Sequence, residues 1–369
     1  MPSYRLAFFL LPLIAAHVRA GEADPFAGVS ERAAAQPRAH ESWTSAFFHE
    51  NFGFRKEIMS QAATSENTAP YSRQSLGFEV LKKFSTETAT VASINVQGRL
   101  VRRDRFIAVQ NDMEGMRRPG WAFEYHNLYA DVYNVAGEVG RVNVRAGRFY
   151  VPFGLNLQTD THGTILQLSN ERNFGFERDW YTGLWGIFSE NFNYDAYYLA
   201  GSGYDLKYKG QSGLGAARLS LSNTFSSEHG TEGGLSVIGG QRLSEDGQRI
   251  DTQRAGLDGR YRQPIPTGLL TWSSEITGGR DVPDAVFTQL YQAEYLRASR
   301  RWGLAAQYRR FWREDAGTDG SIIAEATWYL RNDVGNSNLH WIKVNVERQI
   351  NRIQERRDVI VALQYYRYW

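Results

Sequence analysis

The residue types that most often do chemistry are scattered in this sequence. Its seven histidines are His17, His40, His49, His126, His162, His229 and His340, and it has no cysteine. No two histidines stand at the short spacing that presents a zinc-ligand pair. Without cysteine there are no disulfides, thiolate metal sites, thiol nucleophiles or covalently attached haem. No Gly-x-Ser-x-Gly elbow marks a serine nucleophile. Gly233-Gly234 and Gly239-Gly240 lie inside strand-like segments, where glycine relieves bending and is a poor phosphate cradle. The residues therefore point to no enzyme, and no cofactor or metal is expected. What does concentrate is charge. The stretch 154–179 holds Asp160, His162, Glu171, Arg172, Arg178 and Asp179, and Arg145 precedes it. Fixed charges of both signs around a narrow aqueous passage select solutes by size and charge. On an open surface the same charges would only be solvated.

Such a passage needs a wall, and the sequence from Trp43 onward reads as one element repeated. Ala92, Ile94, Val96 and Leu100 alternate with Ser93, Asn95, Gln97 and Arg99. Leu128, Ala130 and Val132 alternate with Tyr129, Asp131 and Tyr133, and Ile342, Val344 and Val346 with Lys343, Asn345 and Glu347. Period two over eight or more residues is a strand with one apolar and one polar face. These segments run about ten to fourteen residues, the length a tilted strand needs to cross lipid and longer than the usual soluble strand. Sixteen candidate strands are expected, within a range of about fourteen to eighteen. The first is placed at 43–58, the second at 75–84 and the fifth at 140–153, and an even count leaves both ends on one side. Connections 59–74, 104–122 and 154–179 read as long, and 85–88, 137–139 and 190–192 as short. The fold class is thus all-β, a closed antiparallel transmembrane barrel whose third long loop folds inward.

Composition agrees. The chain of 369 residues carries 10 Trp, 20 Tyr, 20 Phe and 35 Gly, too many large rings to stay disordered. After the N-terminus there is no apolar run long enough for a membrane helix. Phe84, Trp180, Tyr181, Phe188, Trp302, Phe311 and Trp312 fall near proposed strand ends, where a barrel places its interfacial girdles. Residues 1–20 form a signal peptide: Arg5, an apolar run from Leu6 to Ala16, then Val18 and Ala20 before a cut. Residues 21–42 read as a short periplasmic segment with a helical turn near Glu31–Gln36, and 43–369 as the barrel. Removing 1–20 takes away Arg5 and Arg19 and leaves acids and bases equal, so charge gives no nucleic-acid role.

Two stretches carry a resemblance. Val359, Val361, Leu363 and Tyr365 at every second residue, ending on Trp369, resemble the signal read by the outer-membrane assembly machinery, with Arg367 as the one departure. Arg145-Ala-Gly-Arg-Phe-Tyr-Val-Pro-Phe-Gly-Leu155 resembles a strand and turn of porins similar to the phosphate-selective porin O/P family. The resemblance implies a Gram-negative outer-membrane porin in contact with lipid and lipopolysaccharide, and suggests a homotrimer. The dense basic ladder of phosphate-selective members is missing, so phosphate is not carried over. By parity, the lumen receives Lys83, Arg99, Arg145, Arg218, Arg254, Arg260, Arg262, Arg309 and Lys343 against Glu79, Asp131, Asp258, Glu275, Glu294, Glu325 and Glu347, a lean toward anions. The expected function is passive diffusion of small hydrophilic solutes or ions. The alternative is a barrel sleeve around a partner protein.

Overall fold

The computed structural model describes residues 51–65, 70–86, 89–104, 120–136, 140–155, 169–189, 192–203, 212–221, 230–244, 247–332, 338–351 and 358–369. The expected signal peptide and periplasmic segment lie outside them. The first eight strands are β1 (Phe52–Ser65), β2 (Tyr71–Ser85), β3 (Thr90–Arg103), β4 (Gly120–Val132), β5 (Asn143–Tyr150), β6 (Arg178–Ser189), β7 (Phe192–Leu199) and β8 (Gly213–Leu221). The second eight are β9 (Gly230–Leu243), β10 (Arg249–Ile265), β11 (Gly268–Asp281), β12 (Asp284–Arg297), β13 (Trp302–Arg313), β14 (Gly317–Asn332), β15 (Leu339–Asn351) and β16 (Val359–Tyr368). A short helix, α1 (Ser169–Phe174), lies between β5 and β6.

Each strand pairs antiparallel with its sequence neighbours, and β1 pairs with β16 to close the barrel. Closure leaves no unpaired edge, which makes a sheet tolerable in lipid. The seam is tied at its last residue: Lys56 and Trp369 exchange backbone hydrogen bonds of 2.8 and 3.1 Å. The Arg367 guanidinium stacks 4.6 Å from the Trp369 ring centroid, so the residue that departs from apolar alternation packs on the terminal aromatic.

Large apolar residues face outward on most strands, among them Leu235, Leu257, Trp272, Leu304, Ile322 and Val344, while polar and charged residues are buried on the inner face. Several turns of the second half are tight. Two residues join β11 to β12, and three join β13 to β14, where Gly317 takes the left-handed φ of 89°. In the latter turn the Arg313 guanidinium grips the Asp315 carboxylate and holds its pKa below the usual carboxylate range.

Three boundary expectations change. β1 runs on to Ser65 and β2 starts at Tyr71, so the stretch 59–74 is mostly strand. Its outward residues Ser60, Ala62, Thr64, Ser72 and Gln74 carry no apolar signal, and a strand without one reads as loop. β5 ends at Tyr150, before the turn, and β4 carries a bulge opposite Gln97, with Val96 paired to Leu128 and Gly98 to Tyr125. The extra residue flips parity, so Glu124 and His126 face inward before the bulge and Asp131 does so after it.

Candidate pore constriction

The irregular part of the barrel lies around β4, β5 and β6. β4 and β5 pair only from Val132–Val144 to Leu128–Arg148, whereas β5 stays with β6 through Tyr150–Arg178. Gly147 sits at this divergence with φ of 132°, and any Cβ there would collide with the Leu128 backbone. Beyond Leu128, Arg148 takes over from the missing ladder. Its Nη1 donates to the carbonyls of Tyr125 at 2.8 Å and His126 at 2.7 Å, and the side chain is fully buried. Arg178, also buried, donates to the Tyr150 hydroxyl and lies over its ring.

Past Tyr150 the chain goes into the lumen. Val151, Phe153, Phe174 and Phe176 are buried in one cluster with Tyr181, Tyr197, Leu199, Leu214, Ala216 and Ile238 of the inner wall. The Phe153 and Phe174 rings meet edge to face at 5.2 Å. An apolar patch on the inner wall of a water-facing barrel would be costly if left wet, and here it seats the segment; each buried Phe contributes about 2–3 kcal/mol. Tyr181, expected at the lipid interface, belongs to this inner patch. Its register opposite Gly147 turns it inward.

Hydrogen bonds carry the segment further around the wall. The Gly154 N–H donates to Ser236 Oγ on β9 at 3.0 Å, and the Leu155 N–H to Glu275 Oε2 on β11 at 2.8 Å. Thr288 Oγ1 on β12 donates to Asn173 Oδ1 at 2.6 Å, and Arg242 on β9 donates to the Phe174 carbonyl at 3.1 Å. Asn170 Nδ2 donates to the Phe153 carbonyl at 3.0 Å and ties the two arms together. Gly154 is required because a Cβ at its φ of 63° would meet the Glu275 carboxylate. The two described arms of 151–177 therefore span from β5 and β6 to β12, nearly half-way round the sixteen strands.

The residues singled out in the sequence fare differently. Asp160 and His162 lie outside the described residues. Glu171 and Arg172 fall in α1. Arg178 is at the root of the segment. Asp179 is fully buried and accepts the N–H groups of Trp180, Gly201, Ser202 and Gly203 at 2.9, 2.5, 3.3 and 2.9 Å, so it fixes the chain leaving β7. Arg145 is locked rather than presented. Its guanidinium makes two bonds to Asp131, at 2.7 and 3.0 Å, and the rings of Tyr129, Phe149 and Trp185 surround it at 4.4, 4.5 and 5.3 Å. Trp185 Nε1 also donates to Asp131, at 3.2 Å.

The inner wall holds more charge than parity indicated. Glu57 receives two bonds from Arg99 at 2.7 and 2.5 Å, and Arg103 pairs with Glu124 at 2.6 Å. Arg218 pairs with Asp258 at 2.6 Å, Arg254 with Asp281 at 2.8 Å and Lys343 with Glu325 at 3.0 Å. Among the described residues, eleven bases and twelve acids are buried, so the buried set itself has no basic excess. Near His126 the charges are mixed: its Nε2 lies 3.6 Å from the Glu124 carboxylate, Arg99 pairs with Glu57, and Arg178 lies 3.5 Å from Glu177. Glu57 was missed because the outward positions after it, Ser60, Ala62 and Thr64, give no apolar alternation, and Glu124 because the bulge shifts the parity of β4.

Known structures share this architecture. The high-pH structure of Pseudomonas putida OprB matches with a TM-score of 0.63 at 10% identity, covering 86% of this chain and 94% of that one. The fold is that of the outer-membrane porins. The anion-selective porin from Comamonas acidovorans matches with a TM-score of 0.56 at 10% identity, over 86% of this chain and 98% of its own. The in-vitro folded, trimeric form of the outer membrane protein OmpT from Vibrio cholerae gives 0.51 at 9% identity, over 86% and 99%. At such identities the likeness to porins is one of fold. No protein-family model matches the sequence, and no curated relative matches it significantly.

Proposed function

We propose that this protein is a porin of a Gram-negative outer membrane, a passive channel for small hydrophilic solutes or ions. The observation that carries this reading is the inward segment. Its aromatic residues and backbone are bonded to the lumenal faces of β9, β11 and β12. A barrel of this strand number has a lumen wide enough for water, and a selective one needs an obstruction inside it. The likeness in fold to OprB and to an anion-selective porin supports the same reading. The lumen already holds this segment, which disfavours a sleeve around a partner protein.

In this proposal the chain is exported by the signal at residues 1–20 and assembled through the strand ending in Trp369. It rests among lipid and lipopolysaccharide, as a homotrimer. Asp160, His162, Glu171 and Arg172 border the narrowest opening, Arg178 and Asp179 fix its root, and Arg145 braces the wall below. A weak preference for anions belongs to the same proposal, supported by the likeness in fold to an anion-selective porin. Planar-bilayer recording of the purified chain tests the proposal. Discrete channel openings are expected, and a folded, inserted barrel that passes no current would refute it.

A further inference from the structure

Exposed charge is divided unevenly between the two ends of the barrel. Neighbouring strands run in opposite directions, so β14 and β16 finish at one end and β5 releases the inward segment at the other. Among the described residues the exposed acids are Asp104, Asp251, Glu314 and Asp315, all at the end of the inward segment. The end that carries Trp369 exposes Lys56, Arg141, Arg297, Arg301, Arg331 and Arg367 and no described acid. In the channel reading that end faces the periplasm.

Three side chains on adjoining strands form a row there. His340 on β15 stands opposite Arg331 on β14 and opposite Arg367 on β16. Arg331 joins this row through a bulge: Tyr329 pairs with Trp341 and Arg331 with His340, so Leu330 is extra. Without the extra residue Arg331 would point into the lumen; with it, the side chain is exposed on the outer face. Strands lie about 4.8 Å apart, so the two arginine backbones stand roughly 10 Å from each other, a gap that two guanidinium groups can close over one phosphate. Arg367 lies over the Trp369 ring, and stacking leaves the in-plane donors of a guanidinium open. Asp333, in the turn after Arg331, lies outside the described residues, and the row stays net basic with its carboxylate counted. One ladder step toward the membrane centre come Trp302, Trp328, Ile342 and Tyr365, each opposite the next. That step is two residues, about 7 Å. Trp and Tyr settle where acyl chains give way to headgroups, so Arg331 and Arg367 stand at the depth of lipid phosphates.

We propose that Arg331, His340 and Arg367 hold the phosphate of an anionic phospholipid on the outer wall of the barrel. This rests on the outer-membrane reading above and adds a lipid ligand to it. A net basic row asks for a headgroup of net negative charge and disfavours a zwitterionic one, whose ammonium it would repel. Facing the periplasm, the row meets phospholipid and not the lipopolysaccharide of the outer leaflet.

The test is native mass spectrometry of the purified full chain in detergent, with dioleoyl phosphatidylglycerol or dioleoyl phosphatidylcholine added and folding checked by gel mobility. Phosphatidylglycerol should give a one-lipid adduct several-fold larger than phosphatidylcholine. Arg331→Gln with Arg367→Gln should bring it down to the phosphatidylcholine level. Arg331→Gln alone, away from the seam, should lower it part of the way, and Arg331→Lys with Arg367→Lys should keep part of it. Arg280→Gln with Arg310→Gln, at the other end, should leave it unchanged. Equal adducts with the two lipids, a Gln pair that binds as before, an equal loss from the far-end pair, or displacement of phosphatidylglycerol by lipopolysaccharide at equal concentration would overturn the inference. Planar-bilayer currents separate this from the channel reading: currents without the lipid preference overturn the site alone, and folded chain without currents overturns the channel.

Discussion

Two regions of one barrel follow different rules. From β9 to β16 the strands are long and apolar side chains point out. Ladders there run unbroken save for one irregularity between β14 and β15, and several turns need only two or three residues. From β4 to β6 the ladder separates, β4 bulges, β5 is eight residues long, and the chain between β5 and β6 seats inside. The first region is what lipid dictates, because every backbone group must pair. The second departs from that rule, and its departures are repaired by named side chains: Arg148 on the carbonyls of β4, Asp179 on the N–H groups after β7, and Glu275 and Ser236 on the incoming backbone. A wall has to be regular. A constriction has to break regularity, and the breaks are local enough to be removed one at a time.

The largest effect is expected from breaking the regular region where it closes. Trp369→Asp puts a charge at the residue that pairs with Lys56 across the seam, and should abolish most folded barrel, read as heat-modifiable gel mobility of outer-membrane fractions. Damage to the irregular region should instead leave the barrel standing. Phe153→Ala with Phe174→Ala removes two buried rings, at about 3–5 kcal/mol each for such truncations. The segment should come loose, become cleavable by added protease and pass more current, while Leu304→Ala on the outer wall changes none of these.

A smaller change is expected at the separation itself. Arg148→Ala leaves two carbonyls without their charged donor, a loss of about 1.5–3 kcal/mol per bond. The midpoint of thermal unfolding in detergent should fall, and Arg148→Lys should recover part of it. The smallest effects concern ion preference. Arg172→Gln should move the reversal potential toward cations in a salt gradient, because fixed charge acts most where the pore is narrow. Arg145→Gln should barely move it, since Asp131 already neutralises that guanidinium within a ring of aromatics, and should lower stability instead.

The legibility of the sequence divides along the same line. Strands such as β13 and β15 could be placed to within a residue or two, because every second side chain meets lipid. β1 and β2 were misplaced over Ser60–Gln74, since alternation vanishes where the outward face is not apolar. Glu124 and His126 were not placed on the lumenal face because a bulge shifts parity and leaves no trace in composition. The inward segment was expected as the third long loop, but its charges drew attention where its rings mattered more. Phe153, Phe174 and Phe176, in a connection otherwise rich in polar residues, were the available sign that it has an apolar seat. Arg145 looked like a pore charge because its partners are distant in sequence: Asp131 on β4 and Trp185 on β6 meet it only once the ladders form.

In the proposed function the segment between β5 and β6 forms the narrowest part of a conducting pore. The most direct test of this is single-channel conductance after replacing residues 157–168 with a short Gly-Ser link, keeping Phe153, Asn170, Asn173 and Phe174 and with folding checked by gel mobility. Discrete channels of higher conductance than the intact chain are expected. A folded barrel with unchanged conductance would contradict it and place the limiting passage elsewhere.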